Sequence, residues 1–513
     1  MTHLPRAATA GLIAVSMLIP LSVPTILFAQ TPTPPITQAR PAGQVPAETV
    51  VQAKKPRKAK KPKKGVPRTP EEARDQALES DTIAYDIVEG LTTEIGPRLA
   101  GTEQEARARD WAVKKLKALG FANVRIESFD MPVWVRGAET AFVTTPFPQE
   151  MKITALGNSA STGPDGLEAD IVYFPTFAAL KKAPEGSLKG KIAFVSHKMK
   201  PSQDGSSYGA FGGVRFTGPS VASKKGAAAI VIRSVGTDYH RNPHTGNTTF
   251  EAGIDPIPAG ALSIPDAENL ERMLKRGKTV RMKLLLTPQQ IGVRQSGNVI
   301  GEIIGTDPTA GVIAVGGHLD SWDLGTGAID DGAGVAISAA AAKRVSIMGK
   351  PRRTIRVIWF GAEEVGIWGG KAYAKAYPGK THAATLESDF GAGPIWRVDF
   401  NLKGDGKTAV EDRIVDVLAP LSIGRGRQPA GGGPDMGPVV ADGAPAIDLQ
   451  QDGTDYFNLH HTPDDTLDKI DPAALRQNVV AWVATLAILA NAPEILVAEP
   501  IVLPPAPAKA KRK

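Results

Sequence analysis

The chain has no cysteine, and only eight of its 513 residues are histidine. The first absence excludes disulfide bonds and a lipoprotein-type lipid attachment, so packing alone must hold the fold. The second makes any grouping of histidines a signal. Basic charge is also scarce where it would matter. The net charge is +7, yet residues 54–68 hold nine Lys/Arg and residues 509–513 four more, which leaves 47 basic against 53 acidic residues elsewhere. A mildly acidic body removes the main support for a nucleic-acid partner, and the two basic runs read as solvated tails. Large apolar residues are nearly absent from residues 31–68, so that Pro/Ala/Lys-rich stretch cannot bury enough surface to fold.

Against these shortages stands an apolar run over residues 10–29, preceded by Arg6, broken by Pro20 and Pro24 and ending in Leu-Phe-Ala29. It reads as a signal peptide for export to the periplasm or medium, with no membrane span after cleavage; an uncleaved anchor is the alternative. The chain divides into a signal over 1–29, a basic leader over 30–70, a first catalytic part over 71–149, an insertion over 150–290, a second catalytic part over 291–496 and a tail over 497–513. Thr102-Glu-Gln-Glu105 is a capping box followed by apolar residues at helical spacing and closed by Gly120, so a helix is predicted there. Asp471-Pro472 opens a second, running through Trp482 and Leu486. Residues 312–315, 355–360 and 446–449 are apolar runs between turn residues, fitting buried strands of a mixed α/β sheet sandwiched by helices. Within the insertion, residues 190–195 and 227–232 read as short strands flanking a small-residue helix between Ser220 and Lys225.

Five residues of zinc-binding type then occur at loops and strand ends. In Gly316-Gly-His-Leu-Asp-Ser-Trp-Asp323, His318 is a candidate ligand, with Asp320 two residues on, on the same face of an extended strand, to orient its imidazole. Gly327-Ala-Ile-Asp-Asp-Gly-Ala-Gly334 places Asp330 on a glycine-flanked turn, where it could bridge two cations; capping of the next helix by Asp330 or Asp331 is the bland reading. In Phe360-Gly-Ala-Glu-Glu-Val-Gly366 adjacent carboxylates project differently, so Glu364 is taken as ligand and Glu363 as general base. Asp389, in Leu386-Glu-Ser-Asp-Phe390, and His461, in His460-His-Thr-Pro-Asp-Asp-Thr466, complete the set. Two histidines and three carboxylates suit two hydrolytic Zn2+ ions.

In order, these motifs resemble those of the co-catalytic di-zinc exopeptidases, which include bacterial secreted aminopeptidases and glutamate carboxypeptidase II. Ile95-Gly-Pro-Arg-Leu-Ala-Gly101, Val133-Trp-Val-Arg-Gly137, Ala229-Ile-Val-Ile-Arg-Ser-Val235 and Pro243-His-Thr-Gly246 narrow the resemblance to the carboxypeptidase Q subgroup, over residues 75–495. The resemblance implies a zinc exopeptidase fold with an inserted protease-associated domain, one zinc on His318 and Asp389, the other on Glu364 and His461, and Asp330 shared. It also implies short-peptide substrates, dipeptides above all, and a homodimer. Two stretches depart from the subgroup: Thr462-Pro-Asp464, and Gly431-Gly-Gly-Pro-Asp-Met-Gly437, a loose match to a substrate-side loop. Arg425 and Arg427 are candidates for holding a substrate carboxylate, with exposed loop arginines as the plain alternative. Competing functions are an aminopeptidase with the same metals, a one-zinc cyclase of the glutaminyl cyclase type, and a non-catalytic ectodomain of the transferrin receptor type. The intact ligand set argues against the last two.

Overall fold

The computed structural model describes residues 65–404 and 406–497. The signal over 1–29, nearly all of the leader, and the tail beyond Val497 lie outside the described residues. Two eight-stranded sheets organise the rest. The first contains, in chain order, β1 (Ala122–Val135), β2 (Gln289–Ile303), β3 (Val312–His318), β4 (Ile355–Phe360), β5 (His382–Glu387), β6 (Ile395–Asn401), β7 (Gly424–Arg425) and β8 (Ala446–Gln451). Its spatial order is β1-β2-β4-β3-β5-β8-β6-β7. The centre, β4-β3-β5-β8, is parallel, while β1, β2 and β6 pair antiparallel. The three runs predicted as strands all lie in this parallel centre. Their near-continuous apolar character follows from helices covering both faces.

The helices match their capping signals. In α1 (Glu103–Ala118) the Thr102 side chain accepts from the Glu105 N–H. The small-residue helix of the insertion is α2 (Gly213–Lys224), which starts about two turns before Ser220 and has Pro219 inside it. After it come α3 (Ala333–Ile347) and α4 (Pro472–Asn491), the latter capped by Asp471, which accepts from Ala473 N–H. Among the described residues α4 is the one helix long and apolar enough to cross a membrane, but most of it is buried in the same core as the alanines of α3. Its apolar residues are core.

Close packing at the start of α3 depends on two glycines. A Cβ on Gly334 would sit 1.8 Å from the Ser388 carbonyl oxygen, and one on Gly317 2.7 Å from the Gly334 carbonyl carbon. Glycine there lets the helix start press onto the ends of β3 and β5, which is where the candidate ligands lie.

The second sheet takes its strands from Glu139–Thr145 to Arg281–Leu286, all within the segment between β1 and β2. The insertion thus begins earlier than the expected residue 150. Strand Glu139–Thr145 belongs to it because it pairs along its length with Arg281–Leu286 rather than continuing the first sheet. The predicted strands at 190–195 and 227–232 appear as Ile192–Val195 and Ala229–Arg233.

Candidate active site

Parallel strands that lie side by side end on the same edge of a sheet, so loops far apart in sequence meet there. His318 is the last residue of β3, Glu363 and Glu364 follow β4, and Asp389 follows β5. Asp330 sits on the turn entering α3, and His461 just beyond the short helix Tyr456–Leu459. All five candidate ligands converge. Asp330 lies at the centre: its Oδ1 is 3.0 Å from His318 Nε2, and its Oδ2 is 3.2 Å from His461 Nε2. On one side Asp389 Oδ1 lies 3.3 Å from His318 Nε2; on the other Glu364 Oε2 lies 2.9 Å from His461 Nε2. These are two donor groups sharing one carboxylate.

Neighbouring residues divide the other roles. Asp331 caps the start of α3, accepting from His318 N–H and Gly334 N–H at 3.0 Å each, and its carboxylate also lies within 4.8 Å of the His318 and Asp389 donor atoms. His460 stacks on His461 with ring centroids 3.5 Å apart, but its Nε2 is 3.7 Å from Asp330 Oδ2, farther than that of His461. Asp320 does something other than expected. His318 Nδ1 faces the Asp320 backbone carbonyl at 3.0 Å, with the carboxylate at 3.8 Å. That carboxylate instead accepts from Glu363 N–H at 3.1 Å and Glu364 N–H at 3.3 Å. The reason is geometric: β3 and β4 are adjacent, so the turn after β3 lies beside the two free N–H groups after β4.

Three supporting residues carry no obvious signal in the sequence. Asp465 accepts from Ile329 N–H at 2.6 Å and Asp330 N–H at 3.1 Å, which holds the turn that aims Asp330. Burial, then repulsion from Asp330, pushes the Asp465 carboxyl up to about 7. Arg98 is fully buried and donates to the backbone carbonyls of Leu319, Thr326 and Gly327, so it shapes the loop after β3. Arg215 comes from α2 in the insertion, and its Nη1 is 3.2 Å from His461 Nδ1. The only hints were indirect: Asp465 lies four residues after His461, and Arg98 lies in a stretch singled out without a role.

The electrostatics are those of a site built for cations. Burial alone would lower the His318 imidazole, but Asp389 and Asp330 outweigh it and hold it well above its ordinary value. The balance is the same at His461, where Glu364 and Asp330 prevail over burial. Burial raises Glu363 well above the carboxylate range; Asp389 and Glu364 add to this and His318 opposes it. Glu364 Oε1 is buried with no hydrogen-bond partner, and the buried Asp330 Oδ2 has only the His460 and His461 rings beside it. Such oxygens are costly unless something positive meets them. Imidazole and carboxylate donors in this arrangement fit divalent metal ions of the zinc type.

A cavity of about 400 Å³ opens beside the cluster, lined by Glu363, Glu364, Asp389, Pro434, Tyr456 and Phe457 from outside the insertion and by Tyr208, Arg215 and Phe216 from within it. Pro434 comes from the Gly431–Gly437 loop, which is tied down where Gly431 and Gly432 N–H donate to Asp448, and Asp435 and Met436 N–H to Glu387. Arg425 and Arg427 do not line the cavity. Both are exposed, and Arg425 pairs with Glu411 and Asp412.

Residues 298–486, which include all five candidate ligands and Glu363, match the profile of Peptidase family M28. Carboxypeptidase Q of Bos taurus is 31% identical over 417 residues, covering 80% of this chain and 86% of that protein. The chain belongs to peptidase family M28. Among solved M28 structures, the Peptidase M28 precursor from Shewanella amazonensis SB2B is 46% identical, with a TM-score of 0.81, over 83% of this chain and 98% of that one. A zinc aminopeptidase from Bacillus subtilis shares the fold at 20% identity, with a TM-score of 0.60, over 84% and 98% of the two chains. The M28 chain is therefore a peptidase, and its donor set is that of a metallopeptidase.

Proposed function

We propose that this protein is an exported exopeptidase that hydrolyses short peptides, dipeptides with free termini in particular, using two zinc ions. The observation that carries the reading is the Asp330 carboxylate, with one oxygen toward His318 and Asp389 and the other toward His461 and Glu364. His318, Asp389 and Asp330 would hold one zinc, and Glu364, His461 and Asp330 the other. When bound, the pair supplies Lewis acidity and a hydrolytic water that ionises near neutral pH.

The chain's own groups do the rest. Glu363, its carboxyl raised by burial above the ordinary carboxylate value, takes the water's proton and passes it to the leaving amine. Asp320 holds the backbone of Glu363 and Glu364 so that neighbouring carboxylates keep separate tasks. The insertion is read as a protease-associated domain, supported by its separate sheet and by the side chains it places in the cavity. The side chains it places along the cavity, Tyr208, Arg215 and Phe216, support the short-peptide reading. Export rests on the apolar segment at residues 10–29, and a homodimer on the likeness to the carboxypeptidase Q subgroup.

The test is hydrolysis of an unblocked dipeptide beside its N-acetylated and C-amidated forms, with zinc-loaded, chelated and Glu363→Gln protein. Cleavage of the unblocked form alone, lost in both controls, is the expected result. Preference for the C-amidated form would make it an aminopeptidase, and preference for the N-acetylated form a carboxypeptidase. Two bound metals without cleavage of any of the three would end the peptide reading for this substrate class.

A further inference from the structure

Of the candidate ligands, His461 has the least support from its own domain. It follows a helix of only four residues, and its backbone has a φ of +61°, a left-handed conformation uncommon for a residue other than glycine. A helix end also leaves carbonyls without partners inside the helix. Here the carbonyls of Phe457 and Asn458, and beyond the helix those of His460 and His461, are met by one loop of the insertion, between its strands Ala229–Arg233 and Ala259–Leu262. Thr237 N–H donates to the Phe457 carbonyl at 3.0 Å, and His240 Nε2 lies 2.9 Å from the Asn458 carbonyl. His244 Nδ1 lies 2.7 Å from the His460 carbonyl, with its Nε2 2.5 Å from the buried Asp238 carboxylate. Thr245 then grips His461 twice: its N–H donates to the His461 carbonyl at 3.1 Å, and its own carbonyl faces the ring Nδ1 at 3.2 Å. Tyr456 and Leu459 differ, since their carbonyls accept from His460 N–H and Thr462 N–H of the same segment.

A histidine that binds metal through Nε2 must carry its proton on Nδ1, and the acceptor facing Nδ1 sets both the tautomer and the ring's direction. For His461 the acceptor is the Thr245 carbonyl at 3.2 Å, from the insertion; Arg215 Nη1 lies equally close to Nδ1 but is a donor and cannot accept that proton. His318 differs, because its Nδ1 faces the carbonyl of Asp320, on the strand end that carries it.

We infer that the Thr237–Thr245 loop of the insertion is a positioning element for one metal only: it holds His461 in its ligating tautomer and direction, so the Glu364/His461 position is a two-domain site and the His318/Asp389 position a one-domain site. His244, with Asp238 behind it, is the side chain that anchors this loop. The inference rests on the two-zinc reading.

The experiment is zinc content and stepwise chelator competition on the full-length protein, with cobalt absorption of the substituted protein as a second readout. The comparison is wild type, His244→Leu, His244→Asn and His240→Ala. Asn places an amide N–H near the position of Nδ1, so it can still donate to the His460 carbonyl. In His244→Leu one zinc of two should bind about 10- to 100-fold more weakly, with the other unchanged. His244→Asn should recover much of the loss, and one of the two cobalt environments should change. His240 is partly exposed, so His240→Ala should fold even if His244→Leu does not, and it should show a smaller loss at the same position. Equal weakening of both zincs, no weakening, or an Asn variant as impaired as Leu would overturn the inference. Wild-type protein that binds fewer than two zincs would overturn the two-zinc reading beneath it.

Discussion

Glu363 and Glu364 are adjacent in sequence and face different partners. Glu364 pairs with His461, while Glu363 lines the cavity with no protein partner of that kind. Glu363→Gln keeps the volume and removes the base, so turnover should fall roughly 10²- to 10⁴-fold, with zinc content unchanged by atomic absorption. Asp465 acts at one remove, through the backbone of Asp330. Asp465→Asn keeps one acceptor oxygen of two and should weaken zinc binding about 10- to 100-fold in chelator competition. The histidines set a pH dependence. In the metal-free protein the carboxylates hold His318 and His461 above the ordinary value of 6.5, and metal must displace those protons. Zinc affinity should therefore rise with pH through and beyond the usual imidazole range, with proton release on binding. Equal affinities at pH 6 and pH 8 would contradict this.

At the scale of elements, the site depends on how closely α3 approaches the ends of β3 and β5. Gly334→Ala would place a methyl group against the Ser388 carbonyl oxygen at 1.8 Å. The shift needed to relieve that clash should cost about 1–3 kcal/mol, read from the urea midpoint. The capping signals at Thr102 and Asp471 and the three apolar runs were legible in the sequence because each rests on local chemistry. The extent of α2 was not. Its start at Gly213 has no capping side chain, and Pro219 lies inside the helix.

For the whole molecule, the junction between the sheets is held by Arg136. Its guanidinium donates to both Asp323 oxygens at 2.8 Å, in the loop after β3, and to Glu139 at the first strand of the second sheet. Arg136→Met would leave both partly buried carboxylates without their cation, Glu139 keeping only its bonds from Ala155 N–H and Thr154, and should destabilise the protein by on the order of 3 kcal/mol. Metal binding stabilises in the other direction. Zinc bound only by the folded state, at 1,000 times its dissociation constant, adds about 4 kcal/mol, so chelation should lower the thermal midpoint and zinc should restore it.

The sequence by itself determined the ligand candidates, their order, the strands that carry them and the family likeness, because motif residues are short-range facts and ligands at strand ends follow from parallel topology. It did not determine the tasks of Asp320, Asp465, Arg98 or the Thr237–Thr245 loop. Each of these acts through a backbone group remote in the chain, and no side-chain pattern records which carbonyl or N–H another segment will meet. The domain boundary near residue 139 was hidden for the same reason: a strand's alternation shows that it pairs, and only the tertiary structure decides with what.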